Sequence, residues 1–393
     1  MSFDEFLDQL PNLEKTRNFN VFKSYSLEKF ESALKLLNLD RRFSKAKIPL
    51  RISVIGTNGK GSVSHFLSEL AISSNLYKKV GLFTSPHLLH KEERIRLNAE
   101  KISIEKLNSL FRELSFYYED LLSELSYFEI FTIMAFFYFQ KENCDLEIYE
   151  AGLGGRFDST KLAFSDILIL TKISLDHSEI LGKTEVDILK EKLAISSEYT
   201  RFLFYYNQEN QELNEMISGY CKNKNIETFF FTKEFQDIDY LSYNLEFCKF
   251  IFNVIDPKFD SSVYKVKNGA PGRIEILKEE PLVVFDVAHN VSAIQYLLKS
   301  IQSKFYFHKL NVVFACLKDK DGEEMVKVFL SSPFIEKVYL YRSGEYLEIH
   351  LISEKIETIS QDQLKELTQN SHLPLLVTGS FRLYDLIKRN FSG

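Results

Sequence analysis

The chain contains the stretch Arg51-Ile-Ser-Val-Ile-Gly-Thr-Asn-Gly-Lys-Gly-Ser62, around which the rest of the sequence is organised. Its β-branched residues predict a buried strand, and the glycines that follow predict a tight turn into a helix starting near residue 62. The backbone N–H groups of such a loop and the dipole of the helix attract anions. Lys60 can reach the β- and γ-phosphates of a nucleotide, and Ser62 adds a hydroxyl. We therefore predict a phosphate-binding loop, in a short form because only two residues separate Gly56 from Gly59.

Composition indicates a soluble enzyme of two or three domains. The chain has 393 residues, of which 45% are hydrophobic and 26% are charged. Its net charge of −6 provides no general basic field, so we expect no nucleic-acid partner. Any phosphate binding must therefore come from local features such as the loop.

The cysteines and the apolar segments predict a cytoplasmic protein. The four cysteines are scattered without a Cys-x-x-Cys pair, which argues against a zinc site or a disulfide framework. The acidic start, MSFDEFLDQL, is unlike a signal peptide. The longest apolar run, Ile130–Phe139, is too short to cross a bilayer, so we predict a buried helix there and no membrane partner.

Strands that alternate with helices predict a mostly parallel sheet in the first two thirds of the chain. Residues 1–47 and 103–141 have helical patterns, and 91–98 is a charged segment predicted to be mobile. Further strands are predicted at Lys79–Phe83, Leu146–Tyr149, Asp166–Leu170 and Phe202–Tyr206. Functional groups are expected at the carboxyl ends of these strands.

The pattern changes near residue 262 and predicts a second domain. The turn-rich stretch 266–273 is predicted to be a linker. Strands are then predicted at Leu282–Phe285, Asn311–Ala315, Lys337–Tyr341 and Leu375–Val377. The predicted fold is an α/β phosphate-loop ATPase domain at 1–265 and a smaller Rossmann-like α/β domain at 274–393.

Three side chains at predicted strand ends are candidates for chemistry, and two of them, Glu150 and Ser85, could hold Mg²⁺, which prefers hard oxygen ligands. Glu150 ends a hydrophobic strand and precedes a glycine-rich loop, and Ser85 and His177 follow two other strands. The alternatives are a solvated acid, a turn hydroxyl and a structural histidine. The position of all three at strand ends favours the functional interpretation.

Three further residues remain ambiguous from the sequence alone. Lys192 lies in a charged helix, where a surface lysine is the simpler interpretation. Asp286 follows the first strand of the second domain and could hold a ribose hydroxyl or be structural. Arg273 lies at the predicted hinge, where it could contact a nucleotide.

Taken together, these segments resemble the Mur ligase superfamily of ATP-dependent amide-bond ligases, and within it the folylpolyglutamate synthase/dihydrofolate synthase family. The resemblance covers about residues 50–290 in the order of the family. The matching segments are Gly56–Ser62, Thr84–Leu88, Glu93–Arg96, Ser126–Glu129, Glu150–Asp158, Leu175–His177, Glu191–Lys192, Pro271–Arg273 and Asp286–Asn290. The chain departs from the family at Lys161, Ala270, Leu193 and Ala194, none of which is a predicted ligand.

The resemblance implies roles that the residues alone do not. The implied ATP contacts are Thr57, Asn58, Gly59, Lys60, Gly61, Ser62, Asn244, Arg273 and Asp286. The implied ligands of Mg²⁺, with two ions expected, are Ser85, Glu150 and His177. The implied catalytic residues are Lys60, His177 and Lys192, the last of them open to carbamylation. The implied pterin contacts are Ser126, Tyr127, Phe128, Glu129, Phe157, Asp158 and Ser159.

The resemblance also implies a reaction, in which L-glutamate is added to dihydropteroate, to folate tails, or to both. ATP would activate the pterin carboxylate as an acyl phosphate, and the second domain would close over the nucleotide to keep water out. We expect a monomer with small-molecule substrates, and we expect Arg94 and Arg96 to order their segment over a substrate carboxylate.

Two other functions have weaker support in the sequence. A ligase for cell-wall precursors usually has a separate N-terminal nucleotide-binding domain, and only 50 residues precede Arg51. A phosphate-loop NTPase or kinase without ligase activity would not need the second domain that opens with Asp286-Val-Ala-His-Asn290.

Overall fold

The computed structural model describes residues 2–12, 26–42, 48–235, 238–264 and 269–391. The chain forms two compact units. The first consists of Met1–Ser174, Ser178–Glu234 and Leu245–Val266, and the second of Leu175–His177, Phe235–Asn244 and Lys267–Gly393. Two short stretches of the predicted first domain thus group with the second unit. The predicted linker, 266–273, lies partly outside the described residues, and the domain boundaries stay predictions.

The first unit contains an eight-stranded sheet in the order β4-β3-β2-β5-β1-β6-β7-β8. The strands are β1 (Leu50–Ile55), β2 (Val80–Phe83), β3 (Ile95–Leu97), β4 (Glu100–Lys101), β5 (Leu146–Glu150), β6 (Ile167–Leu170), β7 (Phe202–Tyr206) and β8 (Glu227–Phe231). In the order of the sheet, every neighbouring pair from β2 across to β8 is parallel. At the other edge, β3 pairs antiparallel with both β2 and β4. The mostly parallel sheet predicted from the sequence is therefore confirmed.

Helices that belong wholly or partly to the first unit cover this sheet. They are α1 (Phe3–Leu7), α2 (Glu28–Leu36), α3 (Lys60–Ser73), α4 (Ile104–Ser123), α5 (Tyr127–Glu142), α6 (Ser178–Leu181), α7 (Glu185–Leu193), α8 (Gln211–Lys224) and α9 (Tyr240–Ile255), the last of which is divided between the units. The apolar run Ile130–Phe139 lies within α5 and is mostly buried, as predicted. Of the helical pattern predicted over 1–47, the parts at 13–25 and 43–47 lie outside the described residues. Within the described ranges, no helix combines the length and apolarity needed to cross a membrane.

The charged segment 91–98 is part of the fold, so the prediction that it is mobile is wrong. A short 3₁₀ helix, Lys91–Arg94, leads directly into β3. The Arg94 side chain is completely buried, and its Nε donates to Nδ1 of His87 at 2.9 Å. Its guanidinium also lies 5.0 Å from the centre of the Phe131 ring. Arg94 therefore stabilises the unit from inside, and its contact with a substrate carboxylate stays a prediction.

A buried charge cluster lies where β1 and β5 begin. Glu147 accepts hydrogen bonds from Arg41 and from the hydroxyl of Tyr149, and its Oε2 lies 3.4 Å from Nε of Arg51. All four residues are at most 4% exposed. Arg51 and Glu147 are register partners in the parallel pairing of β1 with β5. Two buried guanidinium groups thus share one carboxylate.

The second unit contains a six-stranded sheet in the order β13-β12-β11-β14-β10-β9. The strands are β9 (Glu275–Lys278), β10 (Val283–Phe285), β11 (Leu310–Phe314), β12 (Ile335–Tyr341), β13 (Ile356–Ile359) and β14 (Leu375–Thr378). Its main helices are α10 (Val291–Lys304), α11 (Gly322–Ser331), α12 (Gln361–Asn370) and α13 (Leu383–Arg389). All pairs are parallel except β9 with β10. The four predicted strands are present within two residues, whereas the two edge strands, β9 and β13, were not predicted.

Candidate functional site

Three neighbouring strands of the first unit bring the predicted phosphate loop and two of the predicted metal ligands, Ser85 and Glu150, to one edge of the sheet. β5 lies between β1 and β2 and runs parallel to both, with Val54 paired to Glu150 and Phe83 paired to Tyr149. The loop after β1, the residues after β2 and the last residue of β5 are therefore at the carboxyl edge. Ligands of open parallel sheets bind at this edge.

The loop after β1 has the backbone geometry that its glycines predict. Gly56 has a φ of +140°, and a Cβ there would lie 2.0 Å from Oγ1 of Thr171, so no side chain fits. Gly59 has a φ of +93° and directly precedes α3. The loop therefore needs glycine at both positions, for a close approach at the first and for a left-handed turn at the second.

Two of the loop amides are already used within the protein. The N–H groups of Thr57 and Asn58 donate to the carbonyl of Lys172 at 2.8 and 3.2 Å, and Oγ1 of Thr57 donates to the carbonyl of Ser174. These two N–H groups are therefore not available to the anion that the loop is predicted to bind. The amides of the first turn of α3, which have no acceptor inside the helix, are the better donors to a phosphate.

Lys60 and Ser62 complete the loop. Nζ of Lys60 donates to the carbonyls of Gly56 and Thr57 at 3.1 and 3.3 Å, so the ammonium lies over the loop. The hydroxyl of Ser62 is buried and has no hydrogen-bond partner among the described residues. A buried hydroxyl without a partner is costly, and a phosphate or metal ligand would remove that cost.

The carboxylate next to this loop fits a divalent cation. Glu150 is 4% exposed, and its Oε2 accepts a hydrogen bond from the backbone N–H of Ser85 at 3.2 Å. A carboxylate and a serine hydroxyl are hard oxygen donors of the kind that Mg²⁺ and Mn²⁺ prefer. His177 belongs to the second unit, and its part in this metal site stays a prediction. The described residues contain no group of three or more His, Cys, Asp or Glu placed to hold a metal.

The glycine-rich loop after Glu150 is fixed by Asp158. Oδ2 of Asp158 accepts hydrogen bonds from the N–H groups of Gly152 and Leu153 at 2.8 and 2.9 Å. Its Oδ1 accepts from the N–H and the hydroxyl of Thr160. Burial raises the pKa of Asp158 above its usual value, although these four bonds oppose the shift. Because all four acceptor positions of the carboxylate are filled, Asp158 holds the loop in place as a clamp. No lone pair of the carboxylate remains for the predicted hydrogen bond to a pterin.

Lys192 is buried against the same loop. It is 4% exposed near the end of α7, so the interpretation as a surface lysine is wrong. The loop also packs tightly on the α7 backbone, because a Cβ on Gly155 would lie 2.4 Å from the carbonyl oxygen of Lys192. Burying an ammonium group is costly, so this position favours a specific role for Lys192 over a solvated one. Its carbamylation stays a prediction.

The other predicted pterin residues have structural partners. Ser126 and Glu129 form the capping box of α5, in which each side chain accepts the other's backbone N–H. The hydroxyl of Ser159 lies 2.6 Å from that of Thr132. The rings are better candidates for a ligand contact. They comprise Tyr127, Phe128, which packs on Gly152, and Phe157, which is 41% exposed.

The second unit contains a cluster of charged, histidine and amide side chains, part of which the sequence analysis missed. Asp176 forms an ion pair with Lys320, and its Oδ2 lies 3.5 Å from Nε2 of His289 and 3.4 Å from Nδ2 of Asn290. Nζ of Lys320 also lies 3.3 Å from Nε2 of His177. Burial disfavours the charge of Asp176, but these neighbours outweigh it and hold its pKa well below the usual value. Lys320 lies in the charged run Lys318–Asp321, which follows β11, and that run was the signal available in the sequence.

His177 has an unusual backbone conformation within this cluster. Its φ is +50°, in the left-handed region that residues other than glycine rarely adopt. Such conformations are concentrated at functional sites, where surrounding contacts hold them. This observation favours a functional role for His177.

The predicted adenosine contacts are also in the second unit. Asp286 is 2% exposed, and its Oδ2 accepts from the hydroxyl of Tyr240 and from the N–H of Ile274, while Oδ1 accepts from the N–H of Ala288. Burial raises the pKa of Asp286, and the nearby charge of Arg273 opposes the shift. One acceptor position remains for a ribose hydroxyl. Asn244 is 4% exposed, and the nucleotide contacts of these residues stay predictions.

Comparison with known proteins identifies relatives of this chain. A family model described as "Mur ligase, glutamate ligase domain" matches residues 272–373. The dihydrofolate synthase/folylpolyglutamate synthase of Bacillus subtilis is 30% identical over 315 residues, which span 70% of this chain and 72% of that protein.

Solved structures share the fold. The folylpolyglutamate synthase of Mycobacterium tuberculosis, complexed with ADP and AMPPCP, superposes with a TM-score of 0.79 at 19% identity, over 99% of this chain and 97% of that one. A bifunctional folylpolyglutamate synthase/dihydrofolate synthase with Mn, AMPPNP and L-glutamate bound superposes with a TM-score of 0.78 at 23% identity, over 97% of this chain and 95% of that one. These superpositions confirm the predicted two-domain architecture of the Mur ligases.

Proposed function

Because the chain belongs to the dihydrofolate synthase/folylpolyglutamate synthase family of ATP-dependent glutamate ligases, we propose that it forms an amide bond between a pterin carboxylate and L-glutamate. ATP phosphorylates the carboxylate, the amine of glutamate attacks the resulting acyl phosphate, and inorganic phosphate leaves. The pterin substrate is dihydropteroate, a folate, or each in turn. The observation that carries the proposal is the loop between β1 and α3, with Lys60 folded over it and the unpartnered hydroxyl of Ser62.

The chain's own groups supply part of the positive potential that phosphoryl transfer needs. The first-turn amides of α3 and the ammonium of Lys60 bind the phosphate oxygens, which brings two anionic substrates together. Ser85 and Glu150 hold a divalent cation. When bound, that cation neutralises phosphate charge and polarises the transferred group. The relative that carries Mn and AMPPNP supports a divalent metal with ATP, and we propose Mg²⁺, in two ions.

Residues around the glycine-rich loop shape the substrate side. The rings of Phe128 and Phe157 stack against the pterin. The Asp158 clamp holds the loop that positions Phe157, so Asp158 is a positioning residue. Lys192, buried under the same loop, is carbamylated and supplies a second carboxylate-like group.

We further propose that the protein acts as a monomer in the cytoplasm. The free state of the four cysteines, all of which are buried, supports a reducing compartment. The proposed substrates, ATP, glutamate and pterins, are small molecules.

The experiment that tests the proposal measures phosphate release from Mg·ATP in the presence of L-glutamate. Three reactions are compared, with dihydropteroate, with tetrahydrofolate and without a pterin. Release with both pterins, dependent on glutamate in each case, supports a bifunctional enzyme. Release with tetrahydrofolate alone restricts it to tail extension. Release that needs neither pterin nor glutamate contradicts the ligase assignment and leaves an NTPase.

A substitution in the loop tests where the phosphates bind. We expect Lys60→Met to lower kcat by about 10²-fold or more, because it removes a charged donor from the transferred phosphate. Lys222→Met, on the exposed end of α8, is the matched control and should leave kcat unchanged. Equal activity of the two variants would contradict the proposed role of the loop.

A further inference from the structure

A tyrosine that the sequence analysis missed lies against the carboxylate predicted to bind a ribose hydroxyl. The hydroxyl of Tyr240 donates to Oδ2 of Asp286, which directly follows β10. Both residues belong to the second unit, where Tyr240 begins α9 and packs on the apolar core of that unit. β10 pairs parallel with β14, and ligands of parallel sheets bind at the carboxyl ends of the strands. The hydrogen bond therefore joins a core side chain to a group at the ligand-binding edge.

Asp286 is a buried carboxylate with three donors among the described residues. Oδ2 accepts from the hydroxyl of Tyr240 and from the N–H of Ile274, the latter at 2.8 Å. Oδ1 accepts from the N–H of Ala288 at 2.8 Å. A carboxylate has about four acceptor positions, so one position on Oδ1 is left. Because Asp286 is 2% exposed, a ligand hydroxyl that fills this position gains a charge-assisted hydrogen bond in a low dielectric.

The surroundings keep the Tyr240 hydroxyl a donor. Burial raises the pKa of Tyr240 well above its usual value, and the charge of Asp286 raises it further, so the phenol stays protonated. Burial also raises the pKa of Asp286, whereas the charge of Arg273 and the hydrogen bond from Tyr240 lower it. Tyr240 thus favours the ionised carboxylate, which accepts hydrogen bonds and has none to donate.

The backbone of Tyr240 is fixed as well. Its N–H donates to Oγ of Ser300 at 2.9 Å, and the hydroxyl of Ser300 donates to the carbonyl of Tyr296 at 2.7 Å within α10. Ser300 is completely buried. The phenol therefore reaches Asp286 from a rigid frame, as a group that orients another one must.

We infer that Tyr240 is a positioning residue for nucleotide binding, which acts through Asp286. Asp286 accepts a hydroxyl of the ribose, and Tyr240 holds the carboxylate in the orientation that this contact requires. The two residues thereby select ribonucleotides over deoxyribonucleotides. This role rests on the ATP binding of the proposed function and needs neither the pterin nor the amide-bond step.

Calorimetric titration of the full chain with Mg·ADP and with its 2′-deoxy and 3′-deoxy analogues tests this role. For the unmodified protein, we expect at least one analogue to bind about tenfold more weakly than ADP, because a hydrogen bond to a charged group is lost. Equal binding of the three nucleotides overturns the inference, even if the variants fail to fold. The ligase assignment would stand in that case, since its failure is seen as phosphate release that needs neither pterin nor glutamate.

A matched pair of phenol variants measures the contribution of Tyr240. Tyr240→Phe should weaken ADP binding about tenfold and leave the weaker analogue unchanged, so the preference for ADP is lost. Tyr264→Phe is the control, because its hydroxyl also donates to a buried carboxylate, that of Glu69, at 3.2 Å in the first unit. The control should keep the full preference. Equal preference in the two variants overturns the inference, as does a uniform weakening of all three nucleotides by Tyr240→Phe.

A double variant tests whether Tyr240 acts through Asp286. Asp286→Asn removes the charge that accepts the ribose hydroxyl and should weaken ADP binding about tenfold. In this background, Tyr240→Phe should change ADP binding by less than about twofold, because the carboxylate that it orients is already gone. A further tenfold weakening in the double variant would show that Tyr240 contacts the nucleotide itself, and would overturn its role as a positioning residue.

Discussion

Replacement of Asp158 can decide whether its carboxylate holds the glycine-rich loop in place or contacts the pterin substrate. The side chain fills all four acceptor positions with the N–H groups of Gly152, Leu153 and Thr160 and the hydroxyl of Thr160. If the role is that of a clamp, the change must lower stability. If the carboxylate contacts the pterin directly, the change must instead raise the KM for the pterin with little effect on stability.

The structure gives the size of the expected loss. In Asp158→Asn, the amide oxygen can still accept from Gly152 and Leu153, and the hydroxyl of Thr160 can rotate to accept from the new NH₂. The N–H of Thr160 is then left without an acceptor, at a cost of about 1–3 kcal/mol. Asp158→Ala leaves three backbone N–H groups unpaired, so we expect a loss of about 3 kcal/mol or more.

Urea unfolding of the two variants measures these losses, and pterin KM is determined on the same samples. Asp8→Asn, at an exposed aspartate, serves as the control and should stay within about 0.5 kcal/mol of the parent. The reasoning is refuted if Asp158→Asn is as stable as Asp8→Asn while its pterin KM rises.

Three further predictions follow from other parts of the structure. Gly155→Ala should lower both the thermal midpoint and kcat, because its Cβ would lie 2.4 Å from the carbonyl oxygen of Lys192; Gly219→Ala, which meets nothing within 4 Å, should be neutral or slightly stabilising. Partial burial of Asp40 opposes its ionisation, but Arg42 outweighs this effect and lowers the pKa of Asp40. The pair therefore contributes its full stability at pH values above the pKa of an unfolded aspartate, about 3.9. This contribution is lost as the pH falls through the lowered pKa of the folded protein. The stability difference between the parent and Arg42→Gln, followed by urea unfolding from pH 7 to below pH 3, should therefore shrink; a constant difference would contradict this assignment. All four cysteine thiols are buried, so Ellman's reagent should label none in the folded protein and four after denaturation; rapid labelling of the native protein would show that a thiol is accessible.

The structural elements around the site that were predicted correctly are those that local sequence determines. The strand, the glycine turn and the helix start between Arg51 and Ser62 depend on residues adjacent in the chain, so their types and spacing are sufficient. The same holds for Glu150, which ends a strand with a clear hydrophobic pattern.

The parts that were missed depend on partners distant in sequence. Nothing near Arg94 indicates that the ring of Phe131, which is distant in the sequence, will lie against its guanidinium. The sequence suggests that Lys192 is solvated, because the charged residues around it do not indicate which face of α7 the glycine-rich loop covers. The capping box at Ser126 could have been predicted from local sequence. A serine followed three residues later by a glutamate, just before an apolar run, is a known helix-start pattern, but these residues were assigned to pterin binding instead.

The buried cluster of Arg41, Arg51, Glu147 and Tyr149 has a consequence for how the chain assembles its sheet. β1 and β5 are both hydrophobic, and hydrophobic strands could pair in more than one alignment. Only the alignment that sets Arg51 beside Glu147 gives the buried carboxylate its cationic partners. A slip by one residue would turn Glu147 to the opposite face and leave three charges unmatched, at a cost of several kcal/mol. The cluster thus acts as a check on strand alignment, and replacing it with leucines would leave a sheet that is as stable or more so but less able to reject the wrong pairing.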